Sequence, residues 1–466
     1  MNVRIKFLGA AQSVTGSKYL LEIDNYKLMV DCGMFQGPKE LRLRNWNKLP
    51  IEEDSIDAVI LTHAHIDHSG YLPRLVKNGF KGPIYCTEAT EGLLRILLLD
   101  AAKLQEEEAE FAKKKGYSKH NTPEPLFNTE DAENVLLMLK TAPYDLTNRV
   151  NDFISFNFNN AGHILGSSIV ELFVQGEQQQ KKLVFSGDLG GYNQPLLKTP
   201  AAITDADILL VESTYGGKAN DHTNFETIFA NKVNEALDKG GCLLIPSFAV
   251  GRTQLLLYYF QKLQSQGLIP NYPVYVDSPM AISTTFLYQQ YPKYHTLTPE
   301  AFQGDGLFDY PTIKYYKSQE SSVSINDLRS KAIIISASGM CTGGRILHHL
   351  YHRLSRKNDT VLFVGYQAYG TRGRRLVDGE TSVRIFGIDV PVKCHIDNLM
   401  GLSAHADMNE LHQWLSNFTS PPKMTFVVHG EVENSIALAN YLRMDSGWDN
   451  VYIPNYLESF ELFRGI

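Results

Sequence analysis

The sequence predicts an α/β protein of more than one domain. Three observations carry this. The chain has 466 residues, and domains run to about 100–200 residues each. Short apolar runs of strand length fill its first part, and strand–turn–helix units alternate through its middle. Asp or His stands beside Gly directly after several of these runs, which puts polar chemistry at strand ends. Hydrophobic residues make up 43% and charged residues 20% of the chain, so a sizeable core is available and global disorder is excluded. The formal net charge is −7, so the protein is no wholesale polyanion binder, and any nucleic-acid site on it is local.

No apolar run reaches the roughly 18 residues a membrane helix needs, so no contact with a membrane is expected. The first nine residues read as a strand, not as a signal peptide. The five cysteines, Cys32, Cys86, Cys242, Cys341 and Cys394, are odd in number and widely spaced. That argues against a disulfide framework and a Cys-based zinc site, and for a reducing, cytoplasmic setting.

Residues 3–8, 19–23, 26–30 and 58–61 are predicted strands, with a hairpin turn at Asp24-Asn25. A long helix is predicted over 93–115, with Glu110 and Lys114 as an i,i+4 surface pair, then a loop over 119–125. A second helix is predicted over 128–140, where Thr129-Glu130-Asp131 suits its start. Strands return over 154–172 and 182–185. From 208 to 364 buried-type strands (208–211, 243–245, 274–276, 332–335, 361–364) are each followed by a turn and a helix, the pattern of a parallel, helix-covered sheet. Two further strands, 424–428 and 451–453, flank a helix over 437–444.

The dense chemical signal is Thr62-His63-Ala64-His65-Ile66-Asp67-His68 at the end of the strand 58–61. Imidazoles and a carboxylate at such spacing suit a borderline metal ion such as zinc. His63 and His65 can converge on one ion, while Asp67 and His68, past the turn, can face a second. His163 (in Ala161-Gly162-His163), Asp188 (in Ser186-Gly187-Asp188), His429 (in Val428-His429-Gly430) and Asp31 (in Val30-Asp31-Cys32-Gly33) occupy further strand ends. A carboxylate so placed can bridge two metals. Core packing explains none of this.

With these residues the chain resembles the metallo-β-lactamase fold, an αββα sandwich. Its middle resembles the α/β insertion of the β-CASP branch of nucleic-acid-processing enzymes. The segments Val211-Glu212-Ser213-Thr214-Tyr215-Gly216, Pro246-Ser247-Phe248-Ala249-Val250-Gly251-Arg252-Thr253-Gln254, Ser336-Ala337-Ser338-Gly339-Met340-Cys341, Gly365-Tyr366-Gln367-Ala368-Tyr369-Gly370-Thr371 and Ser403-Ala404-His405-Ala406-Asp407 carry that likeness over almost the whole chain. It is nearest to bacterial homologues of the pre-mRNA 3′-end cleavage endonuclease. It departs from the family at Tyr369, where an acid is common, and at Arg372. The implied division is a lactamase-like domain over 1–212 and 386–466, with the β-CASP domain at 213–385.

The resemblance implies two zinc ions. His63, His65 and His163 would hold the first, Asp67, His68 and His429 the second, and Asp188 would bridge. Asp31 would orient a ligand from behind. Glu212 and His405 would form a dyad, with His405 as general acid. Histidine at position 429 goes, within the family, with RNA-acting members. The implied activity is hydrolysis of single-stranded RNA, with internal cuts, by a di-zinc-activated hydroxide. Asp67, Asp188, Glu212 and His405 would be the residues nearest the chemistry. Family members commonly form homodimers.

Between Asp327 and Glu380 there are nine basic and four acidic residues, a local basic excess suited to RNA. Arg353, Arg356 and Lys357 read equally well as a solvated helix face, and His348, His349 and His352 as surface or substrate-side residues. Phosphate contacts are expected from Ser247, Arg252, Ser338, Gly339, Arg345 and Thr371 at glycine-rich strand-to-helix turns. Asp277-Ser278 is expected to cap the helix that follows it. Two other readings remain open: a di-zinc hydrolase of a small ester, thioester or lactam, and a non-catalytic RNA-binding subunit.

Overall fold

Strand register in the computed structural model follows the alternation of apolar residues along the chain. The structure describes residues 1–115, 123–220, 224–399 and 401–466. The expected loop 119–125 therefore falls outside them up to residue 122, and so does the side chain of Lys114. The chain packs as two compact units, Met1–Ala219 with His405–Ile466, and Asn220–Ala404. Among the described residues no helix is long and apolar enough to cross a membrane.

The first unit holds two seven-stranded sheets. One runs, edge to edge, Ser459–Phe463, Val3–Phe7, Tyr19–Ile23, Tyr26–Val30, Ala58–Ile60, Ile84–Cys86 and Leu139–Thr141. The other runs Val451–Tyr452, Met424–Val428, Ile208–Glu212, Gln180–Phe185, Ser168–Gln175, Ile154–Asn160 and Asn148–Arg149. Successive side chains of a strand face opposite sides, and the burial separates accordingly. Leu183, Phe185, Ile208, Leu210, Phe426 and Val428 join Phe7, Tyr19, Leu21, Phe156 and Phe158 in the core between the sheets. Their neighbours Val184, Leu209, Val211 and Val427 face outward onto Leu411, Trp414, Leu415, Leu438 and Leu442. These last residues come from the helices Met408–Leu415 and Val432–Met444. The first helix is closed by a capping box between Asp407 and Glu410. The predicted turn at Asp24-Asn25 closes the hairpin, with Asp24 in the left-handed region. The helix expected over 93–115 begins earlier, at Glu88, and the second runs Thr129–Met138, with Asn128 and Asp131 forming its capping box.

The second unit holds a six-stranded parallel sheet in the order Ile313–Tyr315, Val274–Val276, Ile333–Ser336, Leu243–Pro246, Thr360–Val364, His395–Leu399. Leu244, Ile334, Val361 and Phe363 bury one face of it against Ile346, Leu350, Leu354 and Leu376. The strand His395–Leu399 pairs with Thr360–Val364 along its whole length. The second unit therefore runs on to 404, beyond the residue 385 expected as its end. Only Leu399 of that strand is buried, so its sequence carries no apolar run.

Two residues expected on a surface are interior. Arg353 is fully buried, pairs with Asp359 at 3.0 Å and donates to the carbonyls of Ile325 and Leu328. His349 is 1% exposed and lies 2.7 Å from Asp277 Oδ2. Ser278 caps the helix Pro279–Gln290 as expected, accepting from the Ala281 amide. Asp277, fully buried, also accepts from Ser322 and Arg345. Burial works against its ionisation, but His349, Ser322 and Arg345 together hold its carboxyl below the usual range.

Phe156 touches Tyr85 of the opposite sheet at a ring-centroid distance of 5.2 Å and Phe158 at 4.9 Å. Phe156→Ala is expected to lower stability by roughly 3–5 kcal/mol in denaturant unfolding followed by circular dichroism, and Phe156→Leu by less. A loss well under 1 kcal/mol would mean this contact does not hold the sheets together. The depressed Asp277 carboxyl makes a second prediction. Its contribution is present above the unfolded-state value of about 3.9 and is lost as pH falls through the lower folded value. Hydrogen exchange across 274–290 should rise over that window in the wild type. In Asp277→Asn it should already be raised at pH 7 and respond less to acid.

Candidate metal centre

The backbone brings the predicted residues together through sheet register. In the first sheet Val30 pairs with Ile60 in parallel, so the residues that follow, Asp31 and Thr62-His63, emerge side by side. In the second sheet Glu212 pairs with Val428 in parallel, so Glu212 and His429 emerge together, next to the loop after Phe185 that carries Asp188. The chain must turn sharply at these ends. Asp31, His429 and Gly187 all have positive φ, +59°, +49° and +56°. Gly33 passes so close to the Asp67 carbonyl that a β-carbon there would overlap it.

Among the described residues the ligand-type atoms form three adjoining groups: His63, His65, His163 and Asp188; Asp67, His68 and His429; and Asp188, Glu212 and His405. In the first group His65 Nδ1 lies 3.1 Å from both His63 Nε2 and His163 Nε2. Asp188 Oδ2 lies 3.5 Å from His63 Nε2 and from His163 Nε2. In the second, His68 Nε2 and His429 Nε2 are 3.0 Å apart, and Asp67 Oδ2 is 3.4 Å from His429 Nε2. The other oxygen of Asp188, Oδ1, turns to this group, 3.2 Å from His68 Nε2. One carboxylate thus presents one oxygen to each set of imidazoles.

The groups behind the imidazoles fix which nitrogen faces inward. His68 Nδ1 is 2.7 Å from Asp31 Oδ2. Asp31 also accepts from the Thr62 amide at 2.8 Å and from its hydroxyl. The Thr62 hydroxyl is 3.0 Å from His63 Nδ1 as well, and that of Thr214 is 3.1 Å from His429 Nδ1. With Nδ1 of His63 and His68 so engaged, their Nε2 atoms are left to the centre. Thr62 and Thr214 are positioning residues that the sequence motifs alone do not single out. The signal for Thr62 is its place between the strand 58–61 and the first histidine. Thr214 has no comparable signal.

Protonation follows the same layout. Burial, with His68 beside it, holds His63 well below the usual imidazole range, and burial lowers His65 to about 4. Burial opposes ionisation of Asp67 and Asp188 too, but the imidazoles outweigh it. Asp67 is lowered to about 2 and Asp188 well below its ordinary value. His68 is raised despite burial, because Asp188 and Asp31 flank it.

This set fits a metal. Neutral imidazoles and ionised carboxylates are the ligand forms. His63 and His65 are held neutral and Asp67 and Asp188 ionised, and a cation between the inward-facing nitrogens, about 3 Å apart, would take the place of the proton that His68 keeps. Donors some 2.0–2.1 Å from a tetrahedral zinc stand roughly 3.4 Å apart, near the spacings here. Asp188 Oδ1 is buried and accepts no well-aligned hydrogen bond, an acceptor left for an ion.

Beside the groups, His405 Nδ1 is 3.1 Å from Glu212 Oε1. Glu212 is 1% exposed and is held by the amides of Leu189 and Thr214. Burial opposes charging of His405, but Glu212 and Asp188 outweigh it and raise it to about 9. His405 thus has a buried carboxylate partner and carries a proton at neutral pH.

The six residues expected to contact phosphate lie in the second unit, and their polar atoms are largely engaged within it. Arg345 donates to Asp277 at 2.7 Å and to the carbonyls of Tyr316 and Lys317. Arg252 donates to the Val364 carbonyl. Ser247 is buried against Thr253. Ser338 accepts from the Thr342 amide, and Thr371 caps the short helix Arg372–Val377. Gly339 lies against Phe248. Some of the basic residues between 327 and 380 are paired at short range, three with acids of the same segment and Arg345 with Asp277 from outside it. Arg353 pairs with Asp359, Arg374 with Asp378, and Arg375 with Glu380.

Three family models match the chain: the metallo-beta-lactamase superfamily over residues 14–225, the Beta-Casp domain over 253–376, and the Zn-dependent metallo-hydrolase RNA specificity domain over 389–454. A protein of Thermus thermophilus named a ribonuclease is 37% identical over 95% of this chain and 96% of its own length. The transcription termination factor FttA of Methanocaldococcus jannaschii is 30% identical over 95% of this chain and 69% of its own. An RNase J-like protein of the same organism is 30% identical over 98% of each. A crystal structure of a protein of unknown function from Enterococcus faecalis V583 shares the fold, with a TM-score of 0.53, 13% identity, and coverage of 99% of this chain and all of that one. The chain belongs to the metallo-β-lactamase superfamily and, within it, to the β-CASP family.

Proposed function

We propose that the protein is a zinc-dependent ribonuclease that hydrolyses phosphodiester bonds within single-stranded RNA. The observation that carries this reading is Asp188. It addresses two imidazole groups with its two oxygens, beside the Glu212–His405 pair. The likeness to a named ribonuclease over nearly the whole of both chains supplies the substrate class.

In this reading His63, His65 and His163 hold one zinc ion, Asp67, His68 and His429 a second, and Asp188 serves both. When bound, such a pair neutralises the charge of a phosphodiester and makes water acidic enough to react near neutral pH. Asp31 holds His68 by Nδ1 and Thr214 holds His429 by Nδ1, so neither ring is free to rotate. Glu212 Oε1 takes the Nδ1 side of His405, which leaves the Nε2 proton for the departing oxygen. His63, His68 and His163 are almost fully buried, which limits solvent at the ligands. All five cysteines are buried and unpaired, which supports a cytoplasmic setting. The homodimer common in the family is part of the same reading, and sedimentation decides it.

The test uses end-labelled single-stranded RNA, with matched single-stranded DNA beside it. The zinc-loaded protein should make internal cuts in RNA and far fewer in DNA, and chelation should abolish them. His63→Ala should lose metal and cleavage together. His405→Ala should keep its metal yet lose roughly 10²–10⁴ in rate. A metal-loaded protein that leaves RNA intact but turns over esters or thioesters would overturn the proposal.

A further inference from the structure

Three loops follow three neighbouring parallel strands of the second unit: 247–251 after Leu243–Pro246, 337–345 after Ile333–Ser336, and 365–371 after Thr360–Val364. Open parallel sheets bind ligands at this carboxyl end of their strands. The loops are knit together. The Ser247 amide donates to the Ser336 carbonyl at 2.9 Å, Gln367 Nε2 to the Gly339 carbonyl at 3.1 Å, and the Gly373 amide to the Met340 carbonyl at 3.1 Å. Gly339 lies so close to Phe248 that a β-carbon on it would stand 3.0 Å from the ring, so a bare glycine lets the ring keep its place.

Ser247 is buried, Arg252, Arg345 and Thr371 bond within the unit, and Ser338 and Thr342 bond each other at the surface. The large side chains that the loops expose are aromatic. Phe248 is 42%, Tyr366 41% and Tyr369 84% exposed. No exposed Leu, Ile, Val or Met lies on any of the three loops. A protein-docking face would mix aliphatic side chains with such rings; planar rings alone match planar partners. The guanidinium groups at and beside these loops are engaged within the unit, Arg252 and Arg372 by backbone carbonyls and Arg345, Arg374 and Arg375 by Asp277, Asp378 and Glu380, so few of their N–H groups are left for phosphates.

We propose that Phe248, Tyr366 and Tyr369 form a stacking platform for the bases of single-stranded RNA, so that this unit grips its substrate by base faces rather than by phosphates. The proposal rests on the ribonuclease reading and adds to it the feature that is recognised. Every base has a π-face, so such a platform tolerates sequence but requires unpaired, splayed bases. It discriminates against duplexes and against strands that lack bases.

The test measures binding of the zinc-loaded protein to a single-stranded RNA made uncleavable by phosphorothioate linkages, and to an abasic ribose-phosphate oligomer of the same length. Tyr369→Ala and Phe248→Ala should each weaken RNA binding roughly fivefold or more, while Tyr369→Phe retains it. The ratio of wild-type to variant affinity should change little with salt, because stacking releases few counterions. Binding of the abasic oligomer should be weak and equal in all of them. Unchanged RNA binding by both alanine variants, or an equal loss on the abasic oligomer, would overturn the platform. So would a loss that vanishes at high salt. Wild-type cleavage of RNA is scored in parallel. Its absence would count against the ribonuclease reading, whereas intact cleavage with indifferent variants would count against the platform alone. Each substituted ring is exposed, so an unchanged melting temperature checks that the variants fold.

Discussion

Asp188 is an ionised carboxylate with almost no access to water, surrounded by imidazole nitrogens that crowd to about 3 Å from one another. Burying charge in so small a volume is costly unless something positive lies beside it. The rest of the first unit is arranged around that requirement. Asp31 and Thr62 fix the ring nitrogens of His68 and His63 from behind, Thr214 fixes His429, and Glu212 fixes His405. These partners are themselves held, Asp31 and Glu212 by backbone amides and Thr214 by Glu212 and Asn434. The centre is therefore organised through its outer shell as much as through its ligands.

The sandwich supplies the placement. Parallel register aligns the carboxyl ends of Tyr26–Val30 with Ala58–Ile60, and of Ile208–Glu212 with Met424–Val428. The residue after each strand then turns out of the sheet, at Asp31 and His429 in the left-handed region. Alternate side chains on the same strands bury Leu210 and Phe426 between the sheets and Leu209 and Val427 under the helices. Packing on both faces of the second sheet thus holds the strand ends rigid, which is the condition for a preorganised site.

Much of this is legible in the sequence because the signal is local. H-x-H-x-D-H is dense, and Asp or His beside Gly after an apolar run marks a strand end whatever the tertiary structure. The alternation of strands and helices also points to the parallel sheet of the second unit. What is not legible depends on pairing across long separations. Nine basic residues between 327 and 380 resemble an RNA surface, yet Arg353 is buried against Asp359 and Arg345 is paired with Asp277, 68 residues away in sequence. His349 departs from its expected surface position for the same reason: its partner Asp277 lies 72 residues away. The strand His395–Leu399 leaves no mark in the sequence because its side chains are mostly polar and only backbone pairing makes it a strand. Charge counts report composition, whereas the fold decides which charges neutralise each other.

The central claim is that one buried carboxylate organises two metal positions. Its direct test is metal content, measured by elemental analysis after exhaustive dialysis against trace zinc, for the wild type and for Asp188→Asn and Asp188→Ala. About two zinc ions per chain in the wild type, and loss of tight binding at both positions in Asp188→Ala while the circular dichroism spectrum is retained, is the predicted result. One ion or none in the wild type, or two ions still held tightly by a folded Asp188→Ala protein, would contradict it.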